Sequence, residues 1–166
     1  PSSGQEKTPT SIVCYFSCTG TTEKVAKKIQ SYLSSDLYTI EPEVAYTSED
    51  LNYNNNDSRA NKEQSDSTSR PAIKGEKKDF TSYQDIYVGY PIWWGKLPKI
   101  LYTFFDTYDF KGKNIYPFCT SASSGISTSV NEIKDLEKES HVDSGRRFSS
   151  SSTDKEIQSW IDSTRK

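Results

Sequence analysis

Three segments of this chain are apolar at nearly every position, and each runs into a loop of small residues followed by a helical stripe. They are "SIVCYF" at 11–16, "DIYVGY" at 85–90 and "NIYPFCT" at 114–120. A strand without a polar face has to be covered on both sides, which is the situation of strands in a parallel sheet. The stripes supply the cover. Val25, Ala26, Ile29 and Leu33 share one side of a first helix, with Lys24, Lys27 and Lys28 largely off it. Ile100, Leu101, Phe104, Phe105 and Tyr108 share a second face, in a helix that Pro98 is placed to open as its first residue. Ile126, Val130, Ile133 and Leu136 form a third. A capping box from Thr153 to Glu156 opens the last helix, which carries Ile157, Trp160 and Ile161 inward. "LYTIE" at 37–41 and "HVDSGRRF" at 141–148 are weaker strand candidates. This alternation defines an α/β class: a doubly wound parallel sheet with helices on both faces. Pro117 is the misfit, because it has no N–H to give a ladder in mid-strand.

The segment 46–83 breaks the alternation. "EDLNYNNNDSRANKEQSDSTSRPAIKGEKKDF" at 49–80 has little periodicity, and it helps hold the hydrophobic fraction of the 166 residues to 32%. It reads as a surface loop pinned by Leu51, Tyr53 and Ile73, with a short helix near 58–64. Seven acids, Glu41, Glu43, Glu49, Asp50, Asp57, Glu63 and Asp66, face Arg59 and Lys62 there. They read as a solvated loop, the alternative being a surface that orients a basic partner. The formal net charge of -2 gives no general field for nucleic acid or an anionic membrane. No stretch approaches the ~20 apolar residues of a membrane span. Residues 1–10, "PSSGQEKTPT", read as a polar tail or tether, and 11–166 as the folded domain with 46–83 as an insert in it. The location reads as cytoplasmic, or as extracytoplasmic and tethered if the Met-less, polar start is a processed end rather than a trimmed one.

"SCTGTTEK" at 17–24 sits where the first strand hands over to the first helix. It gathers Ser17, Thr19, Thr21 and Thr22 around Gly20. A helix start leaves N–H groups without partners at the positive end of the dipole, which suits an anion. No Lys or Arg lies within the turn, so the grip would come from neutral donors, as fits a terminal phosphomonoester. The chain has no GxxxxGK[ST] and no GxGxxG, so the nucleoside triphosphate and dinucleotide fingerprints are missing. The plainer alternative is a Ser/Thr-rich helix cap that binds nothing. "YPIWWG" places Trp93 and Trp94 beside Gly95. Two adjacent indoles on an extended loop cannot both enter one core, so at least one belongs at the surface or against something flat. "TSASSG" after the third strand is a further small-residue loop on the same expected edge.

These residues carry a resemblance. Ser17-x-Thr19-Gly20-x-Thr22 matches the flavodoxin phosphate signature [ST]-x-T-G-x-T in full. "GYPIWWGKLPKIL" resembles the second flavin loop of flavodoxin-like proteins and of the related flavin-dependent quinone reductases. The long polar segment is similar to one found in a bacterial flavodoxin-like subfamily, and "CTSASSGISTSVNEI" resembles its third loop. The resemblance implies a three-layer, five-stranded parallel sheet of order 2-1-3-4-5 and FMN as cofactor. It implies that Ser17, Thr19, Gly20, Thr21 and Thr22 cradle the phosphate, with Cys18 giving its backbone N–H. Pro91, Ile92, Trp93, Trp94 and Gly95 would run along the isoalloxazine, with Trp93 or Trp94 stacking on it and the Trp94–Gly95 peptide nearest its N5. Thr120, Ser121, Ala122, Ser123 and Gly125 would line the pyrimidine end and ribityl chain. No side chain acts as catalytic acid or base, because the flavin carries the redox chemistry.

The function so implied is electron transfer between a reductase and an acceptor protein, by a monomer or weak dimer. One alternative is an FMN-dependent NAD(P)H:quinone, nitro or azo reductase. It is favoured by a third loop lacking the tyrosine that many flavodoxins carry there, which leaves a ring face open unless Tyr46 or Tyr53 covers it. Another is a flavin-free binding module on the same scaffold. Other residues read as structural. Cys14, Cys18 and Cys119 form no pairable set and point to a reducing compartment. Cys14 and Cys119 are packing residues, with redox reactivity the alternative for Cys119. His141 is a surface residue, Arg146 and Arg147 belong to an exposed turn, and Ser123-Ser124-Gly125 lacks the GxSxG elbow of a hydrolase.

Overall fold

The computed structural model describes residues 10–18, 20–52, 54–66, 68–75, 78–93, 95–121 and 125–164. In chain order the elements are β1 (Ser11–Tyr15), α1 (Thr21–Leu33), β2 (Asp36–Thr39), α2 (Arg59–Ser65), β3 (Asp85–Pro91) and α3 (Lys99–Thr107). They continue with β4 (Asn114–Thr120), α4 (Ser127–Leu136), β5 (His141–Val142), β6 (Arg146–Phe148) and α5 (Asp154–Thr164). The sheet is parallel in the order β2-β1-β3-β4-β5, with β6 continuing the fifth position alongside β4.

The unalternating strands are buried on both faces, as their composition requires. Val13, Tyr15, Tyr87 and Phe118 pack under α1 and α5 with Val25, Ala26, Ile29, Ile157, Trp160 and Ile161. Ile12, Cys14, Ile86, Val88 and Tyr90 pack on the other face with Ile100, Leu101, Phe104, Phe105 and Ile133. Each large apolar side chain taken out of water in this way contributes about 1.5–3 kcal/mol before the entropy of ordering it. The helix α5 opens as its sequence predicts: the Glu156 N–H donates to Thr153 Oγ1 at 3.2 Å. Pro98 differs by one position. Its ψ of 143° is not helical, so it stands as the cap before α3 and the helix begins at Lys99.

Pro117 fits for a reason visible only in the ladder. Ile115 accepts from the Asp143 N–H and Ser121 donates to the Phe148 carbonyl, so the odd residues of β4 face the fifth position. That position is interrupted at 143–145, between β5 and β6, opposite Pro117. The missing N–H therefore falls in a gap. Gly145 closes the gap with φ 74°, and a Cβ there would come within 2.5 Å of the Pro117 carbonyl oxygen. "HVDSGRRF" is thus two short strands and a bend.

The polar segment is tied down along its length. A bridge pairs Pro42 with Ile73, flanked by Glu43 N–H to the Ala72 carbonyl (2.9 Å) and Lys74 N–H to the Glu41 carbonyl (2.7 Å). The expected short helix is α2, capped by Ser58, whose Oγ accepts from the Asn61 N–H. Leu51 and Ile73 pack against the core as pins, while Tyr53 lies outside the described residues.

Candidate functional site

The order of the sheet reverses at β1. The chain leaves β1 for β2 on one side and returns to β3 on the other, which opens a crevice at the carboxyl ends of β1 and β3. The three loops singled out in the sequence meet at this edge. Thr22, in the first turn of α1, and Thr120, at the end of β4, share a buried hydrogen bond of 2.6 Å between their hydroxyls. The Ile92 N–H donates to the Thr120 carbonyl at 3.3 Å, joining the second loop to the third. Ser121 donates to the Phe148 carbonyl and accepts from Arg147 Nη1 at 3.1 Å, so Arg147 supports the third loop rather than an unrelated turn.

The first loop is organised by its own residues. Gly20 holds φ 95°, a left-handed conformation that a Cβ disfavours, and its N–H donates to Ser17 Oγ at 3.1 Å. The first helical bond runs from the Lys24 N–H to the Gly20 carbonyl, so the N–H groups of Thr21, Thr22 and Glu23 have no acceptor within the helix. Among the described residues no side chain caps α1, and no hydroxyl bonds those N–H groups. Among the described residues beyond its chain neighbours, a Cβ placed on Gly20 would meet nothing within 4 Å, so the space beside Gly20 is open. Thr22 turns its hydroxyl inward to Thr120 and offers only its backbone to that space. Cys18 is exposed in the turn, and Thr19 lies outside the described residues.

The second loop is organised from outside. Trp93 and Lys96 exchange two backbone bonds, at 3.0 and 2.9 Å, across a tight turn in which Gly95 has φ 74°. Trp93 is buried, edge-on to Phe16 at 5.4 Å and to Tyr46 at 5.2 Å. Of the two indoles this one therefore belongs to the core. Trp94 lies outside the described residues, as do Ala122 and Ser123 of the third loop, while Gly125 is exposed just before α4. Tyr46 is held as well: Arg59 lies 3.8 Å over its ring, Glu63 accepts its hydroxyl at 2.5 Å, and Arg59 pairs with Glu63 at 2.9 Å.

Sequence reasoning missed two residues at this edge. Gln64 donates from Nε2 to the carbonyls of Trp93 (3.2 Å) and Leu97 (3.3 Å) and accepts the Lys99 N–H at Oε1 (3.0 Å). Glu132 accepts the Leu97 N–H at 3.0 Å and the Tyr102 hydroxyl. Neither stands in a motif. The only hint was the predicted helix that carries Gln64. The acids of 41–66 are largely spent on local bonds, such as Asp50 with Thr47, Asp66 with Thr68 and Glu41 with Lys74. Cys119 is buried and its thiol is pushed up to about 12 by burial, which keeps it protonated and suits packing. His141 is exposed on β5, at the opposite end of the sheet from the loops. Among the described residues, no group of His, Cys, Asp and Glu is arranged to hold a metal ion, and no helix is long and apolar enough to cross a membrane.

The flavodoxin family profile matches residues 10–164. The chain belongs to the flavodoxin family. A solved structure of a candidate flavoprotein from Bacteroides uniformis is 36% identical, with a TM-score of 0.89 over 94% of this chain and 99% of that one. Another, from Bacteroides eggerthii, is 38% identical with a TM-score of 0.85 over 92% of this chain and 96% of that one. A flavoprotein from Lactobacillus acidophilus, solved in complex with FMN, shares the fold at 21% identity and a TM-score of 0.72, over 92% of this chain and 99% of that one. No curated protein matches the chain. The sheet of this flavodoxin has the strand order that the resemblance implied.

Proposed function

We propose that this flavodoxin binds FMN at the carboxyl edge of its sheet and carries electrons between a reductase and an acceptor protein. FMN is the cofactor that family membership brings. One observation carries the reading: a helix start whose first N–H groups meet no cap among the described residues, beside open space at Gly20 with φ 95°. That donor set fits a phosphate monoester. The Thr21, Thr22 and Glu23 N–H groups and the hydroxyls of Ser17, Thr19 and Thr21 would hold it without a countercharge. Pro91, Ile92 and the Trp94–Gly95 peptide would orient the ring, and Thr120, Ser121, Ala122, Ser123 and Gly125 its pyrimidine end and ribityl chain. The bound flavin supplies the redox chemistry; the protein binds it, excludes water and tunes its potential. A pocket of neutral donors and apolar walls disfavours added negative charge, so bound FMN should be harder to reduce than free FMN.

The test is a titration of the purified protein with FMN and with riboflavin, followed by an anaerobic reductive titration. Tighter binding of FMN than of riboflavin, a lowered potential and reduction in two resolved one-electron steps support the carrier. Equal affinity for the two flavins would overturn it.

A second reading, direct NAD(P)H-dependent reduction of a quinone, nitro or azo compound, is favoured by one observation. The third loop has no aromatic residue, and Tyr46 is already engaged by Phe16, Trp93, Arg59 and Glu63, which leaves it poorly placed to cover a ring. Steady NAD(P)H oxidation with a quinone, using only this protein and FMN, would establish that reading in place of the carrier.

A further inference from the structure

We infer that Gln64 is a positioning residue for the cofactor, acting through the 93–97 turn, and that the polar segment 46–83 is therefore part of the FMN site. The inference rests on the FMN reading above. One side-chain amide on α2 engages three backbone groups of a loop about thirty residues away: the Trp93 and Leu97 carbonyls and the Lys99 N–H. Only an amide both donates twice and accepts in one plane. A carboxylate would lose the two donors and an ammonium the acceptor.

The opposite side of the same turn is held by Glu132 of α4, through the Leu97 N–H. The backbone flanking Trp94 and Gly95 is thus held from two directions, with Gly95 at the surface between them. That residue is exposed, has φ 74°, and offers open space where a Cβ would lie. The segment grips the loop a second time through Tyr46, which packs edge-on against Trp93 and is itself clamped to α2 by Arg59 and Glu63. A merely solvated loop has no need of a double hold on one turn. A turn that must meet a flat ring in one orientation does, because binding then loses less to ordering.

The full-length protein with Gln64→Ala, which removes all three bonds, and with Gln64→Glu, which keeps the shape and the acceptor but puts a carboxylate in place of the donors, tests this. Affinity for FMN and for riboflavin should fall by the same factor, about tenfold, since the loss lies at the ring and not at the phosphate. In Gln64→Glu the midpoint potential of bound FMN should move downward, because the added carboxylate opposes charge gained on reduction. In the cofactor-free protein, exchange of the Lys99 amide should accelerate in Gln64→Ala and not in Gln64→Glu, which keeps that acceptor. Flavin affinity and potential of Gln64→Glu, which lacks only the two donors, serve if Gln64→Ala unfolds. Folded variants that bind both flavins as the wild type does and keep its potential overturn the inference, as does a loss confined to FMN. Wild type that fails to bind FMN overturns the functional reading and this inference together. Wild type that binds, with variants unaffected, overturns this inference alone.

Discussion

The 17–22 turn and the 93–97 turn reach the same edge of one sheet, yet they are held in opposite ways. The first is closed by residues within itself: Ser17 Oγ accepts from Gly20, and Gly20 supplies the left-handed backbone. The second takes its shape from Gln64 and Glu132, which lie 33 and 35 residues from Leu97 in the chain. The phosphate grip proposed for the first turn would need only N–H groups at a helix start and one unusual φ, which neighbouring residues can provide. A turn that has to hold a plane needs anchors off its own axis, and those come from other elements. The two turns are joined through Thr120, which bonds Thr22 on one side and Ile92 on the other.

The largest effect that would break this contrast lies at Gly20. The space beside it is open, so Gly20→Val costs the free protein only the left-handed backbone, about 1–2 kcal/mol. Its side chain would stand where the phosphate is proposed to lie. FMN affinity should fall about a hundredfold while riboflavin loses far less, as read by quenching of flavin fluorescence. Parallel losses for the two flavins would show that the first turn is not an independent phosphate grip.

A smaller effect tests the joint. Thr22→Val or Thr120→Val leaves one buried hydroxyl without its partner, which costs about 1–3 kcal/mol. The double variant should be less destabilised than the sum of the singles, because no polar group is then stranded. Urea unfolding of the four proteins gives the coupling, and additive losses would mean that the two loops are not tied through these hydroxyls.

The smallest effect is a control remote from both turns. Glu137, beyond the end of α4, lines a cavity of about 500 Å³ at the amino ends of β4 and β5. Burial, with Asp109 and Asp106 nearby, raises its carboxyl from 4.5 to about 7. The folded state thus holds this proton more tightly than the unfolded chain. Its contribution to stability is greatest below pH 4.5 and is lost as the pH rises toward 7. Gln in its place should stabilise the protein by about 1 kcal/mol at pH 8, the shift being discounted for a half-exposed group. It should flatten stability between pH 5 and 7 in thermal melts and leave flavin affinity unchanged. A change in affinity would mean that the two ends of the sheet are coupled.

Much of this could be read from the chain alone. Apolar strands without alternation, helical stripes between them and a signature complete within six residues determined the layering, the main elements and the first turn, because burial on both faces and a left-handed glycine are properties of adjacent residues. Tertiary structure decided the rest. It turned Trp93 inward, resolved Pro117 by breaking the fifth strand opposite it, and turned a polar stretch with no period into a brace for the second turn. Those outcomes depend on hydrogen bonds between groups distant in the chain. Such bonds are set by where the sheet delivers each loop, and no local spacing of residues records them.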